Sequence, residues 1–247
     1  MEELLASVVH RPYVFLFLAS FLVLAPLRFG FRKTILWLVS GYFIAWASEL
    51  SSISNGFPYG WYSYVYENLS GELMVAGVPF FDSLSYAFLT FAGFTTAEYI
   101  LKETPYALRP KPYAHIFLGA ALTMLLDVIV DPIATMGDKW FLGKIHVYAD
   151  PGWYFGVPMT NFGGWFLVSF AVIGFNAIAW RAFPKLFESR VTSHDSRWAW
   201  MYPAFYAGIA LFAVSMSFWV GEWKLGLAST CILLIITAVP ILIKKRA

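Results

Sequence analysis

The chain has 247 residues, of which 60% are hydrophobic and 13% are charged. So apolar a chain cannot cover a water-soluble globule with polar surface, and lipid is the expected solvent. The net charge is only +2, and Lys and Arg are sparse and confined to connections between apolar segments, which excludes the basic stripe that nucleic-acid binding requires. We therefore expect residues 1–247 to form a single transmembrane domain.

Seven apolar segments are long enough, some marginally, to cross a bilayer core, which takes roughly 20 residues per helix. In chain order they cover residues 13–29, 35–50, 79–101, 113–131, 162–183, 203–220 and 223–243. They predict an all-α polytopic membrane bundle of about seven transmembrane helices. Because the first segment follows two acids rather than a basic region, we expect it to be retained and not cleaved as a signal peptide.

Basic residues are distributed unevenly among the predicted connections. Thirteen of the 17 Lys and Arg residues fall on one side of the bundle, and the other side receives Arg11, Lys139, Lys144 and Lys224. Loops rich in Lys and Arg stay in the cytoplasm. The protein is therefore expected in the cell membrane, with its N-terminus outside and its C-terminus in the cytoplasm.

Two short segments of the chain are similar to each other. The segment GVPFFD ends at Asp82, and the segment GVPMTN ends at Asn161; four residues further on, Tyr86 aligns with Trp165. Each segment begins a predicted helix, and the helix before it ends with acidic residues. The pattern fits a parallel duplication of the second and third helices as the fourth and fifth. It fits equally well the common use of proline to start a helix.

Four acids stand at predicted helix ends. Glu49 closes the second helix, Asp82 opens the third, and Asp127 and Asp131 close the fourth. Charge inside a membrane is costly, so a functional role with a nearby partner is the default interpretation. All four should lie toward the outer face, although they come from three helices, and we expect them to form one site. For each acid taken singly, a helix end wetted by the interface is the alternative.

The spacing of the acids divides them into two kinds. Asp127 and Asp131 are four residues apart and share one helical face. Two carboxylates in a low dielectric cannot both ionise cheaply, so one should keep its proton at neutral pH. The helix dipole favours the neutral form of Glu49 as well, and the ionised form of Asp82 at a helix start. The sequence thus offers a carboxylic acid and a carboxylate, the recurring pair for general acid and base roles.

Aromatic residues flank these acids in the two long connections. Tyr62 and Tyr64 precede the third helix, and Trp153, Tyr154 and Trp165 surround the start of the fifth. Their rings could contact a ligand or stabilise a cation, and aromatic belts at the membrane interface are the common alternative. The four histidines lack the spacing of a metal site and no nucleotide-binding fingerprint occurs, so we expect neither metal nor cofactor.

The stretches DVIVDPIATMGDKWF and YADPGWYFGVPMTNFGGWF resemble the integral-membrane carotenoid biosynthesis family, of the bisanhydrobacterioruberin hydratase and γ-carotene 1′-hydratase type. The resemblance rests on the Asp-Pro after an apolar helix and on the run Tyr-x-Gly-Val-Pro-x-x-Asn-Phe-x-Gly-Trp. It covers roughly residues 49–170. It implies a lipophilic carotenoid as substrate, contact with membrane lipid, and other enzymes of the carotenoid pathway as partners.

The reaction that the resemblance implies is hydration of the terminal C1,C2 double bond of an acyclic carotenoid end group, a hydro-lyase reaction that gives a tertiary alcohol. Such a reaction begins with protonation of the less substituted carbon, for which Asp127 or Asp131 is the candidate acid. Aromatic faces would shield the tertiary cation. Asp82 or Glu49 would orient and deprotonate the attacking water, with Asn161 as a neutral hydrogen-bonding partner.

Three other functions could use the same acids. Asp127 and Asp131 could form half of the magnesium-diphosphate site of a prenyltransferase, but a second Asp-rich motif is missing and basic side chains are scarce on that face. A carotenoid cyclase would share the protonation step and add no water. A small proton-coupled transporter would use the buried acids as a proton relay.

Overall fold

Helices make up most of the described chain. The computed structural model describes residues 2–102, 113–139, 143–188 and 198–246, and within these ranges it contains eight α-helices and four short β-strands. The helices are α1 Glu2–His10, α2 Pro12–Phe29, α3 Phe31–Asn55, α4 Phe80–Lys102, α5 Ala114–Ala134, α6 Met159–Ala182, α7 Met201–Trp219 and α8 Trp223–Arg246. The strands are β1 Tyr62–Tyr64, β2 Met74–Val75, β3 Val78–Pro79 and β4 His146–Tyr148.

Helices α2 to α8 coincide with the seven predicted apolar segments, and the prediction of an all-α bundle is confirmed. Four of them, α2, α5, α6 and α7, are long and apolar enough to cross a membrane, and α8 contains a shorter apolar stretch, Trp223–Ala238. Helices α3 and α4 have the length, 25 and 23 residues, but carry more polar side chains. The number of seven membrane crossings therefore stays a prediction. Helix α1 was not predicted, because nine residues with acids at the start are too short and too polar for a membrane span.

Glycine and proline separate the first helices. Pro12 occupies the first turn of α2, where the missing N–H has no intrahelical partner to lose. Gly30, with φ of 83°, lies between α2 and α3. Gly56, with φ of 81°, ends α3 in the left-handed conformation, and its N–H donates to the carbonyl of Ser52 at 2.9 Å.

Helix α4 lies at the centre of the bundle and packs against α3, α5 and α7. Fourteen of its 23 residues are buried, which is why its apolar residues show no single face. Small residues let the neighbouring helices approach closely. A Cβ atom on Gly93 would lie 2.6 Å from the carbonyl oxygen of Gly119 on α5, and one on Gly41 of α3 would lie 3.1 Å from the Cα of Ala87.

The outer surface of the bundle is strongly apolar. Large hydrophobic side chains that are more than half exposed occur on α2, α3, α5, α6, α7 and α8: Leu16, Phe43, Phe117, Ile178, Leu211, Leu227 and Ile235 are examples. A surface of this kind would aggregate in water and is the normal surface of a protein in lipid. Together with the four membrane-capable helices, it identifies a membrane protein.

The two similar segments fold in the same way. Strands β2 and β3 form a hairpin whose two turn residues, Ala76 and Gly77, have φ of 53° and 83°. A second turn, at Phe155 and Gly156 with φ of 49° and 85°, is closed by a bridge between residues 154 and 157. Two consecutive positive φ angles are typical of a two-residue hairpin turn. Each turn leads directly into a helix, α4 or α6, as a duplication of α3–α4 as α5–α6 would require; the duplication itself remains a prediction.

Strands β1 and β4 pair with each other and join the two long connections into an antiparallel ribbon, here called the β1–β4 ribbon. Tyr62 is opposite Tyr148, and Tyr64 is opposite His146. Alternate residues of a strand point to opposite faces. These four side chains therefore share one face of the ribbon, and the residues between them, at positions 63 and 147, are exposed on the other.

Candidate active site

One cavity of about 190 Å³ brings the four predicted acids together: Glu49, Asp82, Asp127 and Asp131 all line it. Its other polar lining residues come from the β1–β4 ribbon, from Tyr59 just before it, from α4, and from the starts of α2 and α6. The ends of α3 and α5 and the starts of α4 and α6 meet here, because each long connection returns to the same end of the bundle. Convergence of acids from three helices, expected from the sequence, is what the structure contains.

Asn161 bridges the aspartate pair. It lies in the first turn of α6, and its Nδ2 donates to Oδ2 of Asp127 at 2.7 Å and points to Oδ2 of Asp131 at 3.3 Å. All three side chains are buried. An amide can satisfy both carboxyl groups without adding charge, and the four-residue spacing within α5 gives the two acids the one-turn separation that this bridge needs.

Two residues of the β1–β4 ribbon contact Asp131. The hydroxyl of Tyr148 donates to Oδ2 at 2.7 Å, and Nε2 of His146 lies 3.3 Å from Oδ1 without a hydrogen bond. Oδ2 thus accepts from Tyr148 as well as from Asn161. A proton on this carboxyl group would accordingly sit on Oδ1, the oxygen that faces His146.

Glu49 has an equivalent contact with the ribbon. Its Oε2 accepts hydrogen bonds from the hydroxyl of Tyr64 at 3.0 Å and from Ser83 at 3.1 Å. Tyr64 stands opposite His146 in the ribbon. Each connection therefore supplies one tyrosine that donates to an acid near the end of the helix before it.

Asp82 is held by an ion pair. The Arg11 guanidinium, which is 1% exposed, contacts the carboxylate of Asp82 and also that of Glu72 at 2.9 Å. Burial alone would lower the pKa of Arg11, but Asp82, and after it Tyr13 and Glu72, outweigh this effect and raise the pKa above its ordinary value. Asp82 lines the cavity as predicted, yet its charge is engaged by Arg11 and is less available to activate water.

Tyr62 is the centre of an aromatic group on the inner face of the ribbon. Its ring centroid lies 5.4 Å from that of Tyr64, 5.9 Å from that of His146 and 6.0 Å from that of Tyr148. Burial, followed by the nearby Glu49, raises the pKa of Tyr62 and Tyr64 well above 10. Burial and Asp131 do the same for the pKa of Tyr148. The three phenols therefore stay neutral and keep their protons for hydrogen bonds.

Trp165 and Tyr86, which the sequence alignment paired, are in contact. Their rings stack with centroids 4.1 Å apart and planes 12° from parallel. The Tyr86 hydroxyl donates to the hydroxyl of Tyr59, which is also 2.8 Å from Ser48. All three aromatic side chains line the cavity.

Two of the five predicted aromatic residues lie elsewhere. Trp153 is 81% exposed, and Tyr154 packs against Phe162 with ring centroids 5.7 Å apart. Neither lines the cavity. They belong to the turn before α6, where the bridge between residues 152 and 156 turns the chain back on itself, away from the cavity. Tyr62, Tyr64 and Trp165 are the predicted aromatic residues that the structure brings to the acids.

Several lining residues were missed by sequence reasoning. Tyr148 opens one of the family-like stretches, and its spacing from His146 matches that of Tyr64 from Tyr62, but segments of three residues are too short to identify as paired strands. Arg11 reads in the sequence as an ordinary loop cation. Within the described ranges, no group of three His, Cys, Asp or Glu side chains is arranged to hold a metal ion.

The remaining lining is apolar, and one part of it, built around rings that contact one another, is here called the apolar arm. It is made by three helices, α2, α4 and α7. Its residues are Tyr13, Val14, Phe17, Phe88, Leu89, Ile209, Phe212 and Ala213. Val130, Ile133 and Ala134 of α5, together with Ile145, complete the apolar lining, so the cavity combines acids and tyrosines with hydrocarbon and aromatic faces.

Fold and site together define a helical membrane protein with a buried acidic pocket and an apolar extension. The chain belongs to the carotenoid biosynthesis protein family, which it matches over residues 10–237. This match confirms the resemblance seen in residues 127–166. The chain is also similar to bisanhydrobacterioruberin hydratase of Haloarcula japonica, with 28% identity over 162 residues, which make up 64% of this chain and 50% of that protein. The chain thus aligns with about half the length of that relative, and no solved structure matches it.

Proposed function

We propose that this protein is a carotenoid hydratase that adds water across the terminal C1,C2 double bond of an acyclic carotenoid end group. The observation that carries the proposal is the amphipathic cavity, which is lined both by an Asn-bridged aspartate pair with neutral tyrosines and by the apolar arm. The family and the similarity to a hydratase support a carotenoid as substrate. We further propose that the site lies near the outer face of the cell membrane, with the N-terminus outside.

In the first step, the aspartate pair protonates the alkene. Two carboxyl groups one turn apart in an apolar interior cannot both ionise cheaply, so the pair can hold one proton. Asp131 is the proposed donor, through Oδ1, because its Oδ2 is occupied by Tyr148 and Asn161. The proton goes to C2, the π electrons form the new C–H bond, and a tertiary cation is left at C1.

In the second step, aromatic rings stabilise the cation. The aromatic faces in the lining carry partial negative charge and can stabilise a cation, and a ring, unlike a carboxylate, does not abstract a proton from it. These faces belong to neutral Tyr62, Tyr64 and Tyr148 and to the stacked pair of Tyr86 and Trp165. Burial and neighbouring acids raise the pKa of Tyr62, Tyr64 and Tyr148, so these three tyrosines stay in the neutral form that this role needs.

In the third step, water adds to C1 and Glu49 takes its proton; hydrogen bonds from Tyr64 and Ser83 favour the carboxylate form of Glu49 that this role needs, against the helix dipole. Glu49 is preferred to Asp82 because Arg11 engages the latter. Oε2 of Glu49 accepts from Tyr64 and Ser83, so Oε1 would hold the water. Return of the proton from Glu49 to the aspartate pair completes the cycle, and the hydroxyls of Tyr64 and Tyr62, 3.3 Å apart, lie on this route. One alkene and one water give one tertiary alcohol.

The proposal is tested by expression in a bacterial host that makes an acyclic carotene, followed by mass analysis of the pigments. We expect a product heavier by one water, absent with Asp131→Asn and strongly reduced with Asp127→Asn. Glu98→Gln is the matched control, because Glu98 is a helical acid at the far end of α4 that pairs with Arg28 at 3.0 Å, outside the cavity. Unchanged pigments across several acyclic carotenes would refute a hydratase.

The same assay separates the other candidate functions. A cyclase would change the absorption spectrum and leave the mass of the carotene unchanged. A prenyltransferase would need a cationic group to bind the diphosphate. Among the lining residues that the structure describes, Arg11 is the one Lys or Arg, and it is already paired with two carboxylates. For a proton-coupled transporter, proton flux in liposomes would persist without any carotenoid chemistry.

A further inference from the structure

The residues of the apolar arm have no role in the three proposed chemical steps. Apart from the Tyr13 hydroxyl, its side chains carry no polar group, and they come from α2, α4 and α7, helices that contribute no member of the aspartate pair. The rings of Tyr13 and Phe212 stack with centroids 5.0 Å apart, and Phe17 meets Phe212 edge-on at 5.8 Å. These rings pack against one another and add flat aromatic surface to the cavity lining, which suits contact with a planar apolar ligand.

The size of the cavity limits what it can enclose. Pockets that surround an entire drug-sized ligand measure roughly 300–1,000 Å³, whereas this cavity measures about 190 Å³. It has room for the branched end group of an isoprenoid and for a short length of chain. The rest of a long polyene must extend beyond the cavity, and burying it near the acids would cost their hydration and hydrogen bonds.

A path for the polyene between α2 and α7 would avoid this cost. Val14 and Ala213 are buried and face the cavity, while Leu16 and Leu211, two positions away on the same helices, are 64% and 53% exposed on the outer apolar surface. Phe15 and Phe212 are the residues between these positions, so each helix changes from cavity lining to outer surface within two residues.

We propose that the apolar arm binds the polyene chain of the substrate and leads it between α2 and α7 into the lipid, so that only the end group reaches the acids. This inference rests on the proposed function for its choice of ligand. It makes Ala213 and Val14 the residues that determine how long a chain can be bound, because both are small and line the passage.

The test compares two substrates with the same end group, a long acyclic carotene and a short acyclic isoprenoid hydrocarbon. Ala213→Phe fills the passage, and we expect it to lower turnover of the carotene by about 10- to 200-fold, the range over which an apolar pocket discriminates by size. Turnover of the short isoprenoid, whose chain does not reach the passage, should fall by a clearly smaller factor. Leu211→Phe is the matched control. It introduces the same ring on the same helix but on its exposed face, and it should affect the turnover of neither substrate.

Equal loss of both substrates, or of neither, with Ala213→Phe would overturn the inference. If Ala213→Phe fails to accumulate, Val14→Phe tests the passage from the opposite wall with the same expected selectivity. If the wild-type protein hydrates neither substrate, the proposed function fails, and binding decides the inference separately. Carotene that copurifies with the wild type and Leu211→Phe but not with Ala213→Phe would support the arm, and equal or absent copurification would refute it.

Discussion

His146 faces the proposed acid without being hydrogen-bonded to it. Its Nε2 lies 3.3 Å from Oδ1 of Asp131 in a buried position, so a small movement would allow a proton to pass between them. If His146 completes the proton route from Tyr62 to the acid, His146→Gln should lower the hydration rate about 100-fold, the lower end of what proton transfer by a side chain contributes. Initial rates in isolated membranes measure the change.

Two further measurements separate proton transfer from packing at this position. Imidazole added to the buffer should restore part of the rate of His146→Gln and leave the wild-type rate unchanged. His115→Gln, the same change near the start of α5 and away from the cavity, should keep the full rate. A His146→Gln protein as active as the wild type would mean that the acid recovers its proton by another route.

Arg11 contributes mainly to stability. Its guanidinium is buried between Asp82 and Glu72, and removing one partner of a buried ion pair costs roughly 3–5 kcal/mol because the other charge is left unpaired. Arg11→Met should therefore lower the thermal unfolding midpoint in detergent. Neutralising the partners as well, in Arg11→Met with Asp82→Asn and Glu72→Gln, should recover most of the loss. A triple variant as unstable as Arg11→Met would contradict this assignment.

Sequence reasoning could find the acids of the site but few of their partners. Charge inside an apolar segment is expensive, so Glu49 and Asp131 are conspicuous in any reading of the chain. Arg11 is not conspicuous, because a cation just before an apolar helix is ordinary. Tyr148 and His146 reach Asp131 only through the pairing of β4 with β1, and nothing in the composition of either segment specifies that pairing.

At the scale of elements, the β1–β4 ribbon determines the geometry of the site. It carries Tyr64 to Glu49 and Tyr148 to Asp131, while Val147 between the inward-facing residues is 37% exposed. Val147→Pro removes a backbone N–H from the ladder without touching a lining side chain. We expect it to lower the hydration rate at least about tenfold, because a catalytic group displaced by 1 Å can cost as much as 100-fold.

Val147→Thr, which keeps the backbone N–H and the β-branched shape, should retain the wild-type rate. Circular dichroism should find the same helix content in both variants, since the ribbon contributes almost nothing to it. Full activity in Val147→Pro would mean that the acids are positioned by the helices alone.

Elements of different length were predicted with different success for a physical reason. A membrane helix is a run of about 20 apolar residues, and its energy of transfer into lipid is readable from composition alone. A strand of three residues has no periodicity long enough to recognise. The ribbon was therefore missed, and with it the fact that Trp153 and Tyr154 fall on a turn outside the cavity.

The orientation of the whole molecule can be tested with single cysteines. Cys231 is free and exposed, so it is first replaced by serine. If the N-terminus is outside, Asp150→Cys, in the connection beside the cavity, should react with a membrane-impermeant maleimide in intact cells. Lys102→Cys, at the opposite end of α4, should react only after lysis. The reverse pattern would contradict the proposed orientation and place the cavity near the cytoplasmic face.

The arrangement of the helices was less predictable than their number and position. All seven apolar segments are hydrophobic, and composition does not say which of them is central. Helix α4 takes that place because Gly93 allows contact with α5 and because Ala87 meets Gly41 of α3. Such contacts depend on pairs of small residues far apart in the chain, which one sequence does not connect.

The apolar arm implies that the relevant substrate concentration is the concentration of carotene within the membrane. If the substrate enters from the hydrocarbon phase between α2 and α7, its supply depends on the number of carotene molecules per lipid molecule and not on their number per volume of water. The half-saturation point is then a mole fraction of the membrane. Two preparations with equal amounts of protein and carotene would run at different speeds if one held more lipid, because dilution takes place in two dimensions.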